Sequence, residues 1–262
     1  MSDKVAVRVT AVWAHTDHLF SFRTERPEGF RFTPGQFARL GIPRESDQDP
    51  PAQWVWRAYS IASGPFDPFL EYYSIVVPDG AFTTRLSRLR EGDTLWMEMQ
   101  NHGFLTLERF ALAGDLWLLS SGTGLAPFLS LLQDPLTWES FTKILLVHSV
   151  RSAEELAYRD QILGLRQHEV FGTWAEKLHY QPVITRGSPG SIVGGLQRRI
   201  PVLIRSGALE EACGQPLTLS GSKIMLCGNP EMVSDTRLAL KERGFVSARS
   251  NRPGQIATEN YW

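Results

Sequence analysis

Cysteine is scarce in this chain. Only Cys213 and Cys227 occur, too few for a disulfide framework and not spaced as a CxxC pair. An ordinary iron–sulfur cluster takes four cysteine ligands, so any cluster involved must sit on another protein. Long apolar runs are missing too: nowhere do about 18 apolar residues follow one another as a spanning helix requires. The N-terminus, MSDKVAVRVTAVWAHTDHLF, has no charged leader ahead of an apolar core. These absences predict a soluble, cytoplasmic protein. Charge of one sign is also lacking; the formal net charge is −1 with the signs interspersed, so nothing global points to nucleic acid or an anionic membrane. Internal repeats, low-complexity tracts, an HExxH metal motif and a general-base triad are all missing, and no metal site is expected.

What is there is enough apolar residue, 42% of 262, to bury one large core or two modest ones, and the length favours two domains. Residues 5–100 read as short alternating runs: Val5–Val12, His18–Thr24, Gln36–Ile42, Arg57–Ile61, Leu70–Val77 and Thr94–Met99. Turn clusters such as Thr33-Pro34-Gly35 separate them, and one helical pattern, Thr83–Arg90, interrupts them. Strands so spaced predict an antiparallel β-barrel. From about Asp115 the pattern becomes apolar strand, loop, helix: Leu116–Leu119 then Pro127–Leu132, Ile144–His148 then Ser152–Leu165, His179–Ile184 then Leu196–Ser206, Ile224–Cys227 then Glu231–Arg243. That alternation predicts an α/β doubly wound parallel sheet. The boundary is expected near residues 106–114, giving a barrel domain over 1–108 and a nucleotide domain over 109–262.

Five ordered motifs span the chain from Thr33-Pro34-Gly35-Gln36-Phe37 to Tyr261-Trp262, among them Arg57-Ala58-Tyr59-Ser60, the Val77-Pro78-Asp79-Gly80 turn and the Gly122-Thr123-Gly124-Leu125-Ala126-Pro127 loop. In this order they resemble the flavodoxin/ferredoxin–NADP reductase family, and its bacterial branch more closely. The resemblance implies an FAD barrel domain, an NADP(H) domain, and electron transfer from NADPH through FAD to a ferredoxin or flavodoxin. It further implies a catalytic group of Tyr59, Ser60, Cys227 and Glu259.

The residue types suit that chemistry. Tyr59 offers a stacking face, Ser60 a hydroxyl for the reacting edge of a flavin, and Arg57, beside Ala58, a guanidinium for its diphosphate. Alternation sends Arg57 and Tyr59 to one face and Ser60 to the other unless the strand ends there. The plain alternative is an edge strand with a solvated arginine and a packed tyrosine. Tyr73 resembles the family's second flavin-contacting aromatic, or is barrel packing. Ala81-Phe82-Thr83 opens the barrel's helix, whose N-terminus suits a diphosphate; a simple threonine cap is compatible with it.

In the second half, Ser120-Ser121-Gly122-Thr123-Gly124 leads from a strand into a helix start, and the resemblance puts Thr123 between flavin and nicotinamide. NADP is favoured over NAD by Arg151 at one strand end and by Thr185-Arg186 at the next, although each arginine alone reads as a solvated loop residue. Arg199 resembles a further nucleotide arginine, with looser spacing because of the insert Gly187–Gly195. Cys227, followed by Gly228-Asn229-Pro230, ends its strand where a nicotinamide would lie, or is a small buried hydrophobe. Tyr261 and Trp262 are expected to cover FAD. Arg85, Arg88 and Arg90 are expected on a docking rim for an acidic carrier. A reductase component of an oxygenase, a free-flavin reductase and a non-catalytic nucleotide-sensing module remain alternatives on the same scaffold.

Overall fold

Period-two alternation organises the first half. On the strand Leu19–Glu25, Phe20 and Phe22 point into the barrel core with Leu70 and Tyr72, while Leu19 and Ser21 face outward beside Tyr73. A computed structural model describes residues 3–43, 54–78, 80, 82–187, 190, 192–249 and 252–260. Its first sheet holds β1 (Lys4–Ala14), β2 (Leu19–Glu25), β3 (Phe37–Pro43), β4 (Trp54–Ser60), β5 (Phe69–Ile75) and β6 (Thr94–Glu98). They pair antiparallel in the order β4-β3-β6-β1-β2-β5, and an Ile61↔Tyr72 bridge brings the two ends of the sheet together as a barrel.

The second sheet holds β7 (Asp115–Ser121), β8 (Lys143–Val150), β9 (Leu178–Ile184), β10 (Leu196–Gln197), β11 (Ser222–Gly228) and β12 (Ile256–Asn260), all parallel, in the order β10-β9-β8-β7-β11-β12. Strand order reverses at β7, so a crevice opens at the carboxyl ends of β7 and β11. The helices are α1 (Thr83–Leu86) in the barrel half, then α2 (Ala126–Leu132), α3 (Pro135–Ser140), α4 (Arg159–Gly164), α5 (Ile200–Ser206), α6 (Ala208–Cys213) and α7 (Pro230–Glu242). Trp117, Leu119 and Val147 bury against α5 and α7, while Leu116, Leu118 and Leu146 face α2 and the barrel. That two-sided burial explains the continuous apolar runs. One apolar cluster crosses the junction, joining Leu19, Ala62 and Tyr73 to Phe128, Leu146 and Tyr158. No helix among the described residues is long and apolar enough to cross a membrane.

The fold class expected from sequence holds; several elements differ. The helix expected over Thr83–Arg90 ends at Leu86, because the Asp93 carboxylate accepts the Arg90 N–H and closes a turn into β6. The helix expected over Ser152–Leu165 breaks into a 3-10 turn at Ala153–Glu155 and the short α4, with Tyr158 left-handed between them. The segment Leu196–Ser206 splits into β10 and α5, since Pro201 is tolerated only in a helix's first turn. β12 went unrecognised, and it pairs along β11 from Ile224↔Ile256 to Gly228↔Asn260.

Candidate active site

Two clefts meet at the junction. The first, of about 370 Å³, is walled by Arg57, Ala58, Tyr59 and Ser60 at the end of β4, by Tyr73 and Ile75 of β5, by Gly80, Phe82 and Thr83, and by Thr123 and Ala126. β4 does end at Ser60, which lets its hydroxyl and the neighbouring Arg57 and Tyr59 border one space despite alternation. Tyr59 packs at 5.6 Å from Phe82 and its hydroxyl lies 3.2 Å from Ser74 Oγ; burial pushes its pKa up to about 12, so it stays protonated. The Tyr73 hydroxyl is buried without a partner among the described residues, a polar atom left for a ligand. Thr83 does not cap its helix. Its hydroxyl accepts the Val77 N–H at 3.0 Å, bracing the turn that carries Gly80. Ala81 lies outside the described residues.

The second cleft, about 340 Å³, runs along the carboxyl ends of the parallel strands. Ser121–Gly124, Ser149–Arg151, Thr185, Arg186, Arg199, Gly228 and Asn229 line it. Ile75 and Thr123 belong to both walls, so the two spaces adjoin there. Close backbone approach builds this corner: a Cβ on Gly124 would overlap the Cys227 carbonyl, and Gly228, at φ +138°, lies against Ser121. The Asn229 backbone N–H donates to Ser121 Oγ at 3.0 Å, and its side-chain oxygen caps α7 by accepting from Glu231 and Met232. Pro230 occupies the first turn of α7. The cleft therefore has an anion-favouring helix start on one side.

Across from it stand the cations. The Arg186 N–H donates to the Arg151 carbonyl at 2.8 Å, fixing the two strand ends side by side. Thr185 spends its hydroxyl proton on the Val150 carbonyl, at 3.0 Å. Arg199 reaches Glu231 at 3.1 Å on the opposite rim. Glu155, which sequence reading missed, accepts the Arg151 N–H at 3.0 Å and lies 3.1 Å from His18 of the barrel. Ile75 was also missed, although its period-two spacing from Tyr73 could have found it.

Cys227 and Glu259 sit behind the clefts, not in their walls. Cys227 is fully buried in the junction core and faces Glu259 in register across β11 and β12. The Glu259 carboxylate and the Phe37 ring both approach Gly103, where a Cβ would meet each of them, and Phe37 is the cross-strand partner of Ser60. Burial raises the Glu259 pKa to about 7 against one opposing backbone hydrogen bond at Leu105, and Oε2 has no partner among the described residues. Cys227 is thus paired with Glu259 and Ser60 with Phe37, on either side of Gly103. Tyr261 and Trp262 lie outside the described residues.

Known proteins resemble the chain along its whole length. Residues 118–238 match the family model described as the oxidoreductase NAD-binding domain. The chain is 42% identical over 263 residues to a ferredoxin–NADP reductase of Pseudomonas aeruginosa, covering 99% of this chain and 98% of the relative. It is 39% identical to the flavodoxin/ferredoxin–NADP reductase of Escherichia coli, covering both chains fully. A crystal structure of a ferredoxin NADP+ reductase from Neisseria gonorrhoeae with bound FAD and NADP superposes with a TM-score of 0.89 at 35% identity over the whole of both chains. Two adjoining clefts on a barrel and a parallel sheet, matched end to end by such relatives, identify the chain as a member of the ferredoxin/flavodoxin–NADP reductase family.

Proposed function

We propose that this chain carries electrons between NADPH and a small one-electron carrier, ferredoxin or flavodoxin, through FAD held in the first cleft. The observation that carries the reading is the shared wall: Ile75 and Thr123 border both clefts, so planar groups bound in each would meet there. FAD, when bound, takes up two electrons as a hydride and gives them up singly. Residues 1–108 would hold it, with Tyr59 and Tyr73 as aromatic walls and Arg57 toward its diphosphate. The four-residue α1 supplies too short a dipole to hold the phosphates alone. Residues 109–262 would hold NADP, with Arg151 and Arg186 on the 2′-phosphate, Arg199 at the rim, and the α7 start with Gly228 and Asn229 near the phosphates.

Ser60, on the wall of the first cleft, would hold a proton at the reacting corner, with Glu259 and Cys227 backing it from behind the cleft. Burial raises the Glu259 carboxyl to about 7, so its charge behind the cleft changes near neutral pH. Arg88 and Arg90, both exposed, with the partly buried Arg85, suit an acidic carrier.

Cofactor choice is the test. A charge-assisted hydrogen bond contributes about 1.5–3 kcal/mol, so R151A/R186A should raise KM for NADPH at least tenfold and leave NADH use nearly unchanged. Equal losses with both nucleotides would make these arginines structural. A FAD-reconstituted protein whose visible absorption does not bleach with NADPH would end the reading altogether.

A further inference from the structure

Tyr158 has a backbone that its side chain disfavours. At φ 64° and ψ 0° it is left-handed, a conformation that is rare for a bulky aromatic and costs of order 1–3 kcal/mol. Such a residue persists only where its surroundings over-determine it, and here they do. Its hydroxyl donates to Glu71 Oε1 at 2.8 Å, and the other Glu71 oxygen accepts from Arg23 Nε at 2.7 Å. The tyrosine's one proton is thereby spent, so the 2.5 Å contact with Ser21 Oγ needs the serine to donate. Ser21 then has no proton left, and the His15 Nε2 atom at 2.8 Å must carry one. The result is a one-way chain from His15 through Ser21 and Tyr158 to a buried carboxylate, each bond polarising the next. Burial keeps the His15 ring on the neutral side, which fixes it as the Nε2–H tautomer.

The chain surrounds one wall of the flavin cleft. Ser21 is the cross-strand partner of Tyr73, and Arg23 that of Glu71, so all four occupy the outward face of β2 and β5. The Tyr73 ring meets His15 edge-on at 5.4 Å and Tyr158 edge-on at 5.3 Å. Because the Tyr73 hydroxyl has no partner among the described residues, its ring is oriented by those two neighbours and not by a bond of its own. Tyr158 is the member of the chain that the parallel-sheet half supplies.

We infer that Tyr158 is a positioning residue: it clasps the parallel-sheet half to the barrel and sets the angle of Tyr73 against the flavin. The inference rests on the reading of the first cleft as a flavin site. Y158F keeps the ring and removes the hydroxyl, leaving Glu71 without its donor and Ser21 without its acceptor inside the junction. It should change the visible circular dichroism of bound FAD and weaken FAD binding about tenfold, the size of effect expected when a buried acceptor loses its donor. S21A, cutting the chain one link earlier, should move both readouts the same way by less. The comparison is L209A, a cavity in the far core of the parallel-sheet half, which should melt earlier with an unchanged flavin spectrum and affinity. If Y158F and S21A leave spectrum and affinity within twofold of wild type, the inference is wrong. Amide exchange on FAD-free protein separates the two readings. A wild type that binds no FAD, with Y158F still speeding exchange in β2 and β5, would sink the flavin assignment and keep the clasp. Unchanged exchange would sink the clasp.

Discussion

Glu259, half-buried, and His148, fully buried, are ionisable groups whose titrations oppose each other. The Glu259 carboxyl titrates at about 7 in the fold against an ordinary 4.5, because burial disfavours its charge. The folded state holds that proton more tightly, so its contribution to stability is complete below about pH 4.5 and is lost as pH rises through 7. His148, fully buried on β8 with Nδ1 3.3 Å from the Tyr180 hydroxyl, is pushed down from 6.5 to about 4. Its contribution is complete above 6.5 and is lost as pH falls through 4. Between about pH 4.5 and 6.5 the two changes offset each other, so the wild-type melting temperature should be nearly flat there, whereas E259Q should expose the His148 rise and melt at steadily higher temperature as pH climbs from about 4 to 6.5. An E259Q melting profile as flat as that of wild type across this range would show that this carboxyl does not supply the offset. At this scale the sequence was legible where chemistry announces itself: Arg57, Tyr59, Arg151 and Arg186 are side chains with a role suited to a strand end. Glu155 and Tyr158 were not legible, since each gains its meaning from a partner in the other half, His18 for one and Ser21 with Glu71 for the other.

Strands were easier to read than helices, and the reason is local. A period of two survives in five residues, whereas Thr83–Arg90, Ser152–Leu165 and Leu196–Ser206 are cut by a side-chain cap, a left-handed tyrosine and a proline. β12 was missed because five residues of mixed character beside a terminus carry no pattern of their own; parallel pairing with β11 makes them a strand. The loop after β7 depends on that same neighbour. Gly124 has no room for a methyl group because the Cys227 carbonyl and Gly228 Cα lie where it would go, and backbone cannot swing aside as a side chain can. G124A should therefore destabilise the protein by about 1–3 kcal/mol, the usual cost of overpacking, and cut FAD and NADPH affinity together. Wild-type melting and affinity for both nucleotides would show that this corner yields more easily than its packing implies.

For the whole molecule the formal charge of −1 leaves carrier docking to local detail: Arg88 and Arg90 are exposed beyond α1, followed by the exposed Glu91 and Asp93. If an acidic carrier docks there, its reduction rate should fall several-fold as salt rises from about 50 to 300 mM, because surface attraction is screened over about 10 Å or less. Reduction of a small neutral quinone should be insensitive to salt, and R88E should slow the carrier alone. A carrier rate independent of salt would move the docking face elsewhere. The sequence by itself determined the two halves, their strand types, the glycine loop after β7 and the cations at the strand ends, because each is written in short-range periodicity or in residue chemistry at a fixed offset. Only the tertiary structure decided that the clefts share Ile75 and Thr123, that Glu259 lies half-buried at Gly103, and that Tyr158 closes a hydrogen-bond chain begun on the barrel. Each of these joins residues distant along the chain, and the energies involved, burial of a charge and pairing of a buried polar atom, exist only once packing has removed water.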